Sequence, residues 1–427
     1  MAKKEMFVGL VLAVLMVSAP VFAADAVSLT LEESTNLALK NNNQIKASAS
    51  GVEVAKWNLE KSKGEKNISI DLAHTTSKIG GEYWRVFYID QSPSNYFINS
   101  VSASLPLYSG GRIENTIKQA ELSSRMSELQ LQNTKQEIKY EVTQSYYNIL
   151  ACQNFQQVKE ESVSQLAEHL KNVKAQYDVG NVTKADILRS EVELANATQG
   201  LVTAKNNTQL AMSIFNKIVG LPIQQTVTIK DFLGYEQHNY NLGDCISYAL
   251  QHRPDFIASQ KAVEQAEAGV KVAAADKKLN VSMDALYSTY DTKLDEFGTT
   301  QWMVGVTARL NLFDGNVTRA GIKASKGVLA QSQYNERDME AAVELSVQEA
   351  YLNLTKAESN TATNKVAVEK ATEDFALAQA RYSVNLGTNL DVVDAQVALT
   401  AAKNSYIQSL YDYNVSKAAL DKAMGKI

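Results

Sequence analysis

The chain of 427 residues carries a net charge of −5 with no basic run, which excludes nucleic acid as a partner. Its two cysteines, Cys152 and Cys245, fall inside helical stretches at non-equivalent repeat positions; this excludes a disulfide framework and leaves them as small buried hydrophobes. Five prolines and 20 glycines among abundant Ala, Gln, Lys, Glu and Asn fit long helices rather than a sandwich or an α/β enzyme.

Lys3 and Lys4 precede an apolar run from Met6 to Val17 and then the small residues Ser18, Ala19 and Ala23. This predicts a secretory signal peptide over 1–23, cut after Ala23. The run is shorter than the about 20 residues a spanning helix needs, and no cysteine near the cut could take a lipid. The mature chain reads as exported and free of an N-terminal anchor.

The rest is an internal duplication. Leu31/Leu242, Ala38/Ala249, Ala47/Ala258 and Ala55/Ala266 coincide at an offset of 211. Leu105/Leu310, Tyr146/Tyr351, Tyr177/Tyr382, Thr183/Thr388, Asp186/Asp391 and Gly220/Gly425 coincide at 205, so a tolerant loop lies between the two sets. Repeat one spans 24–222, a linker 223–240 and repeat two 241–427.

Each repeat parses in the same order. Leu31 to about Ser62 is amphipathic with helical period, and a β-hairpin is predicted over 68–108 by alternation in Ile68 to Ala73 and in Val101 to Tyr108. Between these strands lies an aromatic-rich loop containing Tyr83, Trp84, Phe87, Tyr88, Tyr96 and Phe97. A long helix over 112–179 follows without proline or glycine from Ile113 to Val179, about 100 Å at 1.5 Å per residue. Val163, Leu166, Leu170, Val173 and Tyr177 on it recur at spacings of 3 and 4, a coiled-coil seam. A return helix over 184–219 has half that length, so the opening and return helices stack end to end beside the long one. Gly220-Leu-Pro222 stops it. Repeat two supplies a hairpin over 279–313, a long helix over 318–384 and a return helix over 388–424, and the linker is a loop or short strand at mid-height.

Strands of about 8 to 10 residues with aromatics near their ends have the length of transmembrane strands. Candidate belt residues are Tyr83, Trp84, Tyr287, Tyr290 and Trp302 on the loop side, with Tyr108 and Phe313 at the helix side. Four strands cannot close a barrel in lipid, where every edge must be paired. Eight from a dimer would fill with side chains, whereas twelve from a trimer leave a lumen.

Thr183 with Asp186, and Thr388 with Asp391, form capping-box patterns where the return helices start. Capping does not require Asp394, one turn further on, whose repeat-one counterpart is Arg189. Asp391 and Asp394 share a helix face; on a threefold axis they would stack as two carboxylate rings that attract cations.

The chain resembles the TolC-type outer-membrane efflux proteins over essentially its whole mature length. The resemblance rests on the duplication, the hairpin-then-long-helix order, Leu105-Pro-Leu-Tyr-Ser-Gly110 and Leu310-Asn-Leu-Phe-Asp-Gly315 entering the long helices, Gly220-Leu-Pro222, and the Tyr-x-Val tips followed by Asp-Ile or Asp-Val. It implies a mainly α fold with a small β part: a homotrimer with a twelve-stranded barrel among outer-membrane lipid and a helical tunnel through the periplasm. It also implies a passive exit duct of a tripartite efflux pump or type I secretion system, without cofactor, serving a periplasmic adaptor and an inner-membrane pump or ABC transporter. By resemblance Asp391 and Asp394 match the aperture ring, while Tyr382 and Asp186 match the hydrogen-bond network that holds it shut. Adaptor docking falls on Val179, Gly180 and Asn181 and on Val384, Asn385, Leu386 and Gly387. Where some relatives place an arginine five residues after the tyrosine, this chain has Gly387.

Other chemistry finds little support. His74, His169, His238 and His252 have no metal-ligand spacing, and there is no phosphate loop or nucleophile elbow. An enzyme lacks a catalytic constellation. A structural coiled-coil tether or adhesin is the alternative to the duct, and it predicts no conductance.

Overall fold

The computed structural model describes residues 27–79, 94–236, 239–294 and 298–426. The signal peptide expected over 1–23 lies outside them, as do Tyr83, Trp84, Phe87, Tyr88 and His238. The elements in chain order are β1 (Val27–Leu29), α1 (Leu31–Asn41), α2 (Asn43–Gly64), β2 (Ser69–Ile79), β3 (Ser94–Tyr108), α3 (Arg112–Asp178) and α4 (Lys184–Val219). They continue with β4 (Val227–Ile229), α5 (Leu242–His252), α6 (Pro254–Ala275), β5 (Asn280–Asp291), β6 (Thr299–Arg309), α7 (Val317–Ser383) and α8 (Asn389–Met424). Within the linker, β4 pairs in parallel with β1.

The single opening helix expected from Leu31 to Ser62 is in fact two. Asn42 takes an extended ψ of 130°, its Oδ1 accepts from the Gln44 N–H at 2.8 Å, and its Nδ2 donates to the Ile218 carbonyl at 2.9 Å. An N-cap side chain thus interrupts the helical period without breaking the apolar stripe, which is why the pattern conceals it. In repeat two the break is at Arg253, forced to an extended ψ of 122° by the following Pro254. The guanidinium there forks onto Asp255 at 2.9 and 2.7 Å.

These breaks receive the ends of the return helices. A Cβ on Gly220, which has φ +77°, would lie 2.7 Å from Asn41 Cβ, so the helix end seats there only as glycine. Gly425, with φ +76°, meets Arg253 in the same way. The helix α3 is central, packed against α2 and α4 on one side and α6 and α8 on the other, with α7 beyond the latter pair. Apolar cores form where the pieces meet, around Tyr146, Ile149 and Phe215 in repeat one and Val343, Tyr413 and Leu420 in repeat two. The Tyr146 hydroxyl donates to Asp231 Oδ2 at 2.5 Å, and the Leu31 N–H donates to the same oxygen at 3.0 Å, fastening the linker to both helices.

The sheet runs β2-β3-β5-β6, antiparallel throughout. Its strands have 11, 15, 12 and 11 residues, longer than the expected 8 to 10, and Tyr96 and Phe97 belong to β3 rather than to a loop. Register sorts the side chains by face. Val306, Met283 and Leu105 form one cross-strand row; Val304, Ala285, Ala103 and Ile70 form the next, and Trp302, Tyr287, Val101 and Leu72 the third. The opposite face carries Asp71, Ser102, Ser104, Asp284 and Thr307. Among the described residues, β2 and β6 each keep one unpaired edge. Among the described residues no helix is long and apolar enough to cross a membrane.

Candidate functional site: the paired helix tips

Both tips are built by the same backbone chemistry. The Gly180 N–H donates to the Tyr177 carbonyl and Asn181 N–H to that of Gln176, each at 2.9 Å. At the second tip Asn385 N–H donates to Tyr382 at 3.1 Å and Leu386 N–H to Arg381 at 2.8 Å. The left-handed position is Gly180 (φ 80°) in one turn and Asn385 (φ 60°) in the other, so asparagine fills the glycine slot. Gly387 meets a different need: a Cβ there would lie 3.2 Å from Arg381 Cβ and 3.3 Å from the Tyr382 nitrogen.

Each return helix starts with a full capping box. The Thr183 N–H and hydroxyl both donate to Asp186 Oδ2, at 2.9 and 2.7 Å, and Thr388 N–H donates to Asp391 Oδ2 at 2.8 Å. These bonds hold the Asp186 carboxyl below the usual carboxylate range, and the Thr388 backbone N–H does the same for Asp391, with Arg381 adding its positive charge. Asp391 and Asp394 are both exposed on one face of α8. Val179, Gly180, Asn181, Val384, Asn385 and Leu386 are exposed at the turns, with Leu386 reaching 80%.

Tyr382 and Asp186 do not hydrogen-bond to each other. Tyr382 is buried among Phe375, Ala378, Val392 and Val173, and its hydroxyl has no hydrogen-bond partner. Burial pushes this phenol up, and the Asp186 charge adds to the effect. The cross-repeat hydrogen bonds belong instead to residues the sequence did not single out for this site. His169 Nε2 lies 2.6 Å from Asn389 Oδ1, Ser190 Oγ donates to that oxygen at 3.2 Å, and Asn389 Nδ2 donates to the Asp186 carbonyl at 3.1 Å. Sequence reasoning weighed His169 only as a metal ligand, and among the described residues no group of three His, Cys, Asp or Glu could hold one. The signal was its place beside Leu170 on the coiled-coil seam.

Between α3 and α7 the tip opens a cleft of about 670 Å³ lined by Glu168, Gln176, Val179, Asn181, Gln379 and Tyr382. The family model for outer membrane efflux proteins matches residues 35–220 and 245–426, both repeats.

The chain belongs to the outer membrane efflux protein family. The outer membrane efflux protein BepC of Brucella suis is 24% identical over 98% of this chain and 90% of its own length. The cobalt-zinc-cadmium resistance protein CzcC of Cupriavidus metallidurans is 21% identical over 95% and 93%. The solved CmeC outer membrane channel of Campylobacter jejuni superposes with a TM-score of 0.83 at 17% identity, covering 93% of this chain and 85% of that one. This efflux protein is therefore a non-enzymatic component of the outer membrane. The apolar rows of its sheet fit that location: Leu72, Trp302, Val304 and Val306 are at least 62% exposed, and the aromatic pair Tyr287–Trp302 ends the band. Beyond the pair the next row turns polar, with Thr300, Thr289, Asn99 and His74.

Proposed function

We propose that three copies of this efflux protein assemble into a twelve-stranded barrel continued by a helical tunnel, forming the passive exit duct of a tripartite efflux pump or type I secretion system. The observation that carries this reading is the four-stranded sheet with two open edges and one exposed apolar face. Unpaired edges are untenable in lipid, and joining β6 of one copy to β2 of the next keeps the antiparallel order and leaves a lumen at twelve strands. The helices support the same closure. The edge helix α4 exposes Val192, Val202 and Leu210, while α7 at the other edge exposes Leu345, Leu352 and Val366.

In this reading Asp391 and Asp394 form the aperture rings, and Tyr382 and Asp186 belong to the gate. Val179, Gly180, Asn181, Val384, Asn385, Leu386 and Gly387 meet a periplasmic adaptor that links the duct to an inner-membrane pump or ABC transporter. Two of these residues, Val179 and Asn181, line the cleft between the long helices, a concave surface suited to an inserted helical hairpin.

Single-channel recording in planar bilayers tests the duct. Wild type is expected to give a small cation-selective conductance blocked by hexaamminecobalt(III), and the double variant Asp391→Ala, Asp394→Ala to conduct without block. Folded oligomers of both that pass no current sink the reading and leave the tether.

A further inference from the structure

Asn389 is only 3% exposed at the first position of α8, yet its amide touches two other helices. Its orientation fixes the protonation pattern around it. Because Nδ2 donates to the Asp186 carbonyl, Oδ1 is the acceptor for both Ser190 and His169, so His169 donates from Nε2. Among the described residues the hydrogen bonds that cross between the two tips all end on Asn389. The next cross-repeat side-chain hydrogen bond along α8, Lys403 to Glu161 at 2.8 Å, lies about 20 Å farther along the helix. The apolar contacts between the tips, Val173 with Val392 and Ala395, are non-directional and tolerate sliding. Hydrogen bonds do not.

We propose that Asn389, bonded to His169 and Ser190, is the latch that fixes the repeat-two tip against the repeat-one tip and keeps the duct closed, with Asn389 as its positioning residue. The proposal rests on the duct reading with gating at the tips. It assigns the directional part of closure to a network that uses the Asp186 backbone carbonyl but neither the Asp186 carboxylate, which is committed to a cap, nor the Tyr382 hydroxyl, which is unpartnered. The duplication does not reproduce it. At the offset of 205 the counterparts of His169, Ser190 and Asn389 are Asp374, Ala395 and Lys184, which cannot make these bonds. The latch is therefore single and one-sided, as a hinge needs if one helix pair swings and the other stays.

Burial depresses His169 below the ordinary histidine value, the bond to Asn389 opposing this only in part. Glu168 on its own helix and Tyr382 on α7 line the same cleft as the imidazole, the Tyr382 ring 5.2 Å away, and on α4 the Asp186 carbonyl shares its Asn389 partner. The closed tip holds the neutral imidazole, so its contribution is full above about pH 6.5 and is lost as pH falls through the lower folded value. Acidification below the ordinary histidine range should open the tip.

The test records open probability in planar bilayers for wild type, Asn389→Leu, His169→Gln and His169→Phe between pH 7.5 and 5. Loss of the buried bonds in Asn389→Leu should raise open probability about tenfold. His169→Phe should do likewise at neutral pH. His169→Gln keeps a donor and should stay closed at both pH values, while wild type opens on acidification. A folded Asn389→Leu channel and a folded His169→Phe channel that both gate like wild type overturn the latch, and if the cobalt block still depends on Asp391 and Asp394 the duct reading survives. An acid response that persists in His169→Gln also overturns the role given to the imidazole. Silence from every folded variant overturns the duct and the latch together.

Discussion

The two tip turns share a backbone and differ in almost everything the backbone carries. Both close with the same pair of hydrogen bonds and both start their return helices with a threonine-aspartate box. Yet Tyr177 is 42% exposed where Tyr382 is 8% exposed, Arg189 stands where Asp394 does, and Lys184 where Asn389 does. The two hairpins are thus equivalent in backbone, and the side chains flanking the second turn, Tyr382 and Asn389, are the ones buried against the first. A backbone motif sets where the chain reverses; the residues flanking it set which neighbour the reversal serves.

The largest expected difference between the turns lies in the two tyrosines. Tyr382→Ala removes a ring packed on Phe375, Val392 and the His169 imidazole, whose centroid is 5.2 Å away, and should weaken the local structure by about 3 kcal/mol. Tyr177→Ala, at an exposed site, should change it by less than about 1 kcal/mol. Amide hydrogen exchange through residues 165–190 and 375–395 reads both. Equal protection losses in the two variants would break the comparison, because they would mean that the tips are interchangeable in the assembled protein.

A smaller effect separates the glycines. Gly180→Ala forces a β-carbon into φ +80° and should cost about 1 to 2 kcal/mol, seen as faster proteolytic nicking at the first turn. Asn385→Gly should be nearly neutral, since asparagine already occupies the left-handed region at its φ of 60°. Gly387→Ala should slow closure of the second turn by crowding Arg381 and Tyr382, a contact cause rather than a torsional one. If Asn385→Gly destabilises the turn as much as Gly180→Ala does, the asparagine side chain has a role of its own.

This difference marks where the sequence was legible and where it was not. Hydrophobic period and length carried the long helices and the strands, and register turned the alternation of Val101 to Leu107 into one face of a sheet. The breaks at Asn42 and Arg253 stayed hidden because a cap or a lone Pro254 interrupts backbone bonding without disturbing the apolar stripe. At the tips the glycines, Gly180 and Gly387, do not occupy equivalent places in the two turns. In the fold Asn385 fills the left-handed slot and Gly387 answers a close contact with Arg381 and Tyr382 in the last turn of α7. The His169–Asn389 pair was illegible because the two residues are 220 apart in sequence and the side-chain bonds of Asn389 among the described residues all go to the other repeat.

The smallest expected effect is the most informative about the gate. The resemblance implies that Tyr382 and Asp186 hold the aperture through hydrogen bonding, but the Tyr382 hydroxyl is buried without a partner and Asp186 is bound to Thr183. A buried hydroxyl that makes no bond contributes nothing favourable and carries a desolvation cost. Tyr382→Phe should therefore leave the tip unchanged or stabilise it slightly, with open probability at or below the wild-type value and unaltered protection of the 375–395 amides. Asp186→Asn should likewise act through the cap, loosening the start of α4 without opening the channel as Asn389→Leu does. A Tyr382→Phe channel that opens freely would mean that the hydroxyl finds its partner only in the assembled trimer. Closure would then be shared between copies rather than latched within each one.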